Sequence, residues 1–85
     1  MKWHQIREQY PEQWLLVEAI QAHSEADMRI LDDIAVVDLF LDSTAAWKAY
    51  TQLRRQSPQR ELYVLHTHRE ALEITESRWL GIRGA

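Results

Sequence analysis

The chain has 85 residues, of which 46% are hydrophobic and 27% charged, with a formal net charge of −3 at pH 7. This is an ordinary globular composition, and we expect a single domain over residues 1–85. The absence of cysteine excludes disulfides, thiolate metal sites and cysteine nucleophiles. The acidic balance argues against a general nucleic-acid binder. Because no signal-peptide or membrane-spanning pattern is present, we expect a cytoplasmic protein.

The chain begins with a predicted helix and a predicted strand. Trp3, Ile6 and Tyr10 recur at helical spacing, and Pro11 ends the pattern. Residues 14–20 are rich in aromatic and β-branched side chains, which favour a strand.

A long second strand is predicted over residues 29–41, after a polar connection at 23–27. The pair Asp32-Asp33 interrupts its alternation, as a β-bulge or a bend would. Residues 34–41 are apolar apart from Asp38, a pattern that a strand packed on one face does not show. Such a strand lies centrally and is buried on both faces, or it binds something with its spare face.

Strict alternation divides this run into two faces. The cleaner core face consists of Ala35, Val37, Leu39 and Leu41. The predicted outward face, and the first candidate binding set, consists of Ile34, Val36, Asp38 and Phe40.

The clearest helix is predicted over residues 45–56, with N-cap candidates at 42–44. Its apolar face carries Ala46, Tyr50 and Leu53. Residues 61–66 predict a third strand, and residues 72–76 predict a fourth strand that forms a hairpin with the third. A helical turn at 71–73 is the competing interpretation, since residues 67–70 match a capping box.

The predicted fold class is therefore α+β, with element order α-β-β-α-β-β. A small, mostly antiparallel sheet of three to four strands carries the main helix on one face, and a short helix precedes it. Residues 77–85 are expected as an extended tail.

The tail supplies the second candidate binding set. Aromatic, aliphatic and arginine side chains together are typical of an interface anchor. The alternative is that the tail folds back over its own sheet. The candidate residues are Trp79, Leu80 and Ile82, flanked by Arg78 and Arg83.

His66, His68 and Glu70 form the one candidate metal site. On a continuing strand, residues two apart project from the same face, and two imidazoles with a carboxylate can ligate a divalent transition metal. The alternative is a pair of solvated histidines at a strand end. We expect no cofactor and no catalytic residue, so a non-enzymatic interaction module is the leading hypothesis. A metal-binding protein or metal-dependent enzyme is the second.

Three segments, YPEQWLLVEA at 10–19, ELYVLHT at 61–67 and RWLGIR at 78–83, resemble a family of short bacterial proteins without an established activity. The resemblance covers nearly the whole chain and carries over no catalytic residue. It implies a regulatory companion protein of a two-gene unit, as antitoxins are. It also implies a retropepsin-like aspartic protease as a candidate partner. The spare strand face predicts a homodimer as the other possible assembly.

Overall fold

The computed structural model describes residues 1–70, 72, 74 and 75. This part of the chain forms two helices and four strands, all strand pairs being antiparallel, in the sheet order β3-β1-β2-β4. The predicted α+β class is confirmed. The elements are α1 (Trp3–Gln9), β1 (Trp14–Glu25), β2 (Met28–Phe40), α2 (Ser43–Gln56), β3 (Leu62–His66) and β4 (Ile74–Thr75).

β1 is the strand that is buried on both faces. Leu15, Leu16 and Val17 are consecutive and all buried. Neighbouring residues of a strand point to opposite faces, so both faces of β1 are covered. The sequence predicted β2 for this position. Among the described residues, β2 pairs with β4 only through Met28 and Arg29, and most of its length lies at the edge of the sheet.

α1 covers one face of the sheet. Its Ile6 is fully buried and packs with Leu15, Val17, Ile34 and Leu65. Hydrogen bonds hold the helix to the segment after β3, since the indole nitrogen of its first residue donates to the backbone carbonyl of Arg69 at 2.9 Å. The N-terminal helix therefore covers the sheet face that the main helix leaves open.

α2 covers the opposite face. Its Ala46 is buried, as are Leu16 of β1 and Leu62 of β3 on that side of the sheet. The helix begins at Ser43, two residues earlier than predicted, and its N-cap is Asp42, the first of the three candidates. The carboxylate of Asp42 accepts a hydrogen bond from the backbone nitrogen of Ala45 at 2.8 Å.

β1 and β2 form a longer hairpin than the sequence predicted. Both strands continue through the expected connection at 23–27, and only Ala26 and Asp27 turn, with φ of 49° and 64°. Positive φ at both central residues matches the right-handed twist of a hairpin. Register shifts leave one extra residue at Ile20 and another at Asp32, which confirms a bulge at the acidic pair.

The fourth strand pairs with a different neighbour from the one predicted. β4 comprises two residues and pairs with Met28 and Arg29 of β2, at the other side of the sheet from β3. The expected hairpin between the third and fourth strands was wrong. Between β3 and β4, Leu72 packs against the α1-side core.

Replacing the buried α1 anchor, Ile6→Ala, should lower the free energy of unfolding by about 2–5 kcal/mol, because it removes apolar contacts and leaves a cavity against the sheet. Urea unfolding followed by tryptophan fluorescence measures the change. Ile20→Ala is the matched control, since Ile20 is 54% exposed. An equal loss in both variants would contradict the assigned role of α1.

Candidate interaction surface

A β-bulge at Val37 divides the predicted outward face between the two sides of the sheet. Val36 lies opposite Val17, whereas Asp38 lies opposite Leu16, so Val37 is an extra residue on β2. Because cross-strand partners share a face, the alternation changes phase at this point. The prediction of one outward face with four members was therefore wrong.

The consequences differ among the four residues. Ile34 is 1% exposed and belongs to the core beneath α1, and Val36 packs against the same core. Asp38 is exposed on the other side of the bulge, and Phe40 is half-buried opposite Trp14. Neither Ile34 nor Val36 offers its side chain to a partner.

The side chains expected as core are the exposed ones. Val37 is 38% exposed, Leu39 42% and Leu41 94%. These three are half of the large hydrophobic residues that are exposed in the described ranges, and they fall within five consecutive positions. Clustered apolar exposure of this kind marks an interaction site more often than isolated residues do.

The backbone of this region lies on an edge of the sheet. Ile34 exchanges two hydrogen bonds with Met1, at 2.9 and 2.7 Å, on the side of β2 away from β1. In an antiparallel strand the N–H and C=O groups of every second residue point to the same side, so those of Val36 point to the same edge as those of Ile34. Because Val37 is an extra residue, the next backbone groups that point to this edge are those of Leu39. Along residues 36–41, no strand of the described chain pairs with that side. We call residues 36–41 the open edge.

Acidic side chains accompany the open edge. The carboxylate of Asp38 accepts a hydrogen bond from the backbone nitrogen of Leu39 at 2.8 Å, and Asp42 caps α2 just beyond. Neither carboxylate forms an ion pair within the part of the chain that the structure describes. The open edge therefore combines apolar side chains with carboxylates that no cation of the described residues pairs with.

The opposite edge of the sheet, β3, lacks this combination. It is five residues long, and each of its side chains is buried or half-buried.

One ion pair links β2 to the residue that precedes β3. Arg29 of β2 donates two hydrogen bonds to Glu61, at 2.8 and 2.7 Å, and Tyr63 donates a third at 2.6 Å. The arginine holds the pKa of Glu61 below its usual value, while burial and the hydrogen bond to Glu61 raise the pKa of Tyr63. Sequence reasoning missed this network, because its members lie 32 residues apart and only the strand order brings them together.

A second polar group lies on the exposed part of the hairpin. His23 is 2.6 Å from Asp32 and 3.2 Å from Glu25, measured between ring nitrogens and carboxylate oxygens. Hydrogen bonding to these two carboxylates raises the pKa of His23. The group is a local ion-pair cluster in open solvent and encloses no ligand space.

The candidate metal site finds no support in the geometry. The ring nitrogen Nδ1 of His66 accepts a hydrogen bond from the backbone of His68 at 3.0 Å, and its ring packs edge-on against Trp14 with centroids 5.0 Å apart. Glu70 is exposed. Among the described residues, no three His, Asp or Glu side chains are grouped so that they could hold a metal ion.

The second candidate binding set, Trp79, Leu80 and Ile82, lies outside the described residues, as does the whole expected tail at 77–85. Comparison of the chain with models of protein families, with curated proteins and with solved structures found no match. The family resemblance therefore stays a prediction, and the case for function depends on the geometry of this chain.

Glu61→Gln should lower the free energy of unfolding by about 1 kcal/mol at pH 7, because it removes a half-buried ion pair with Arg29. The folded-state pKa of Glu61 lies below its usual 4.5, so this stabilisation is present above pH 4.5 and is lost as the pH falls through the folded-state value.

Chemical denaturation at pH 7 and pH 3 measures both parts of this prediction. The difference between wild type and variant should shrink at the lower pH. The control is Glu70→Gln, which alters an exposed carboxylate. A difference that is constant with pH would contradict the role of the ion pair.

Proposed function

We propose that this protein is a small non-enzymatic interaction module that binds an extended segment of a partner along its open edge. The observation that carries the proposal is the coincidence, on residues 36–41, of exposed Val37, Leu39 and Leu41 with an edge that no strand of the described residues pairs with. In β-strand addition, main-chain hydrogen bonds supply affinity and alternate side chains supply specificity. The open edge offers both.

Edges of natural sheets are normally protected against pairing by charge, bulges or cover. The bulge at Val37 and the carboxylate of Asp38 are two such protections. They restrict which strands can bind, but they do not prevent binding altogether. A cationic partner neutralises Asp38, whereas a neutral or acidic partner does not. We infer that the edge is selective and is used for binding.

The role that fits such a surface is regulatory, through a homodimer or through the product of a neighbouring gene, as antitoxins act. The family resemblance supports a bacterial origin and makes a retropepsin-like aspartic protease the candidate among other proteins. A cytoplasmic location is supported by the absence of cysteine. Neither helix in the described part of the chain is long and apolar enough to cross a membrane.

Val37→Lys should weaken association about tenfold or more, because it places a solvated ammonium group where a partner strand must pack. Light scattering on a sizing column over a range of concentrations measures self-association, and co-purification after co-expression measures binding of the protease. Ile20→Lys is the matched control, with the same change at an exposed site on β1.

Far-UV circular dichroism verifies that both variants fold. If Val37→Lys associates like wild type, or if the wild type binds neither itself nor the protease, the proposed function is wrong.

A further inference from the structure

We propose that the segment Arg78 to Arg83 of a second copy occupies the open edge, and that two copies exchange these segments reciprocally. This inference rests on the proposed function and names its partner. It is based on the charge of the open edge and on the position of β4, the last strand of the described residues.

The segment and the edge are complementary in chemistry. Residues 79–82 contain three large apolar side chains, and an arginine stands on each side of them. The open edge presents three exposed apolar side chains with the carboxylates of Asp38 and Asp42. Opposite charges placed across an interface select the partner and fix its register, whereas like charges oppose association.

The position of β4 prevents the same molecule from making this contact. Thr75 lies opposite Met28, at the end of β2 that adjoins the hairpin turn, whereas the open edge lies at the other end of β2. Arg78 is three residues beyond Thr75, so at about 3.3 Å per residue it can lie about 10 Å away. Asp38 is ten residues along β2 from Met28, a path of about 30 Å at the same rise. The segment therefore cannot lie along residues 36–41 of its own chain.

A second copy removes this obstacle. β4 and the open edge lie on the same side of β2, towards its two ends. Two copies that face each other antiparallel along this side bring the β4 end of each to the open edge of the other. Each copy then gives one segment and receives one, so the assembly closes at two subunits.

The test uses charge exchange in the full-length chain. The edge variant is Asp38→Lys, and the segment variant combines Arg78→Glu with Arg83→Glu. Alone, each variant places like charges in both contacts, and its dissociation constant should rise about tenfold or more. In an equimolar mixture, every edge meets a segment of opposite charge, and the mass measured by light scattering should return to the wild-type dimer value.

The control is Glu8→Lys, an equal change of charge at an exposed carboxylate on α1, which should leave the dimer intact. Circular dichroism verifies the fold of each variant. Reciprocal exchange is supported if the dimer forms in the mixture and does not form with either variant by itself.

Three results would overturn the inference. A segment variant that dimerises like wild type, while Val37→Lys does not, would leave the open edge as the binding site and remove its proposed occupant. A wild type that is monomeric at all concentrations would exclude the second copy and leave the protease test of the proposed function standing. A mass that rises without limit would show an open chain of molecules in place of a closed pair.

Discussion

The burial of β1 on both faces is the constraint on which the rest of the structure depends. Leu15 and Val17 need cover on one side, and Leu16 needs it on the other. A chain of this size has one long helix available, so the seven-residue α1 has to cover the second face. Its attachment to the segment after β3 is therefore part of the core: the buried Thr67 accepts hydrogen bonds from the backbone of Gln13 through its hydroxyl and from Arg7 through its carbonyl.

Covering both faces leaves little chain for the edges. A small domain buries only about 60–65% of its unfolded surface, so exposed apolar area has to remain somewhere. In this protein the faces are covered, whereas among the described residues β2 receives only the two residues of β4 and a bridge from Met1. Exposed apolar side chains accordingly remain at residues 36–41, along an edge that no described strand pairs with. The position of the candidate site is thus a consequence of how the two helices are used.

Local pattern was sufficient for the elements and insufficient for their arrangement. Helical spacing and capping predicted α1, α2 and the Asp42 cap, and the interrupted alternation at Asp32 predicted a bulge. The bulge at Val37 was not predicted, because the residues before it are apolar and the one polar residue after it, Asp38, also fits an unbroken alternation. This one extra residue places Ile34 and Val36 on one face of the sheet and Asp38 and Phe40 on the other. The pairing of β4 with β2 depends on a crossing that no local spacing encodes.

The features that guard the open edge also determine what can bind there. The carboxylate of Asp38 accepts a hydrogen bond from the backbone nitrogen of Leu39 within the chain. A partner strand that replaced this hydrogen bond with its own would therefore gain little binding free energy. A cation on the incoming strand changes the balance, because it pairs with the carboxylate and frees the backbone nitrogen for a main-chain acceptor. The displacement of Val37 out of the regular ladder further requires a strand that can follow a local bend. Protection against indiscriminate pairing and preference for a basic, apolar segment thus arise from the same two residues.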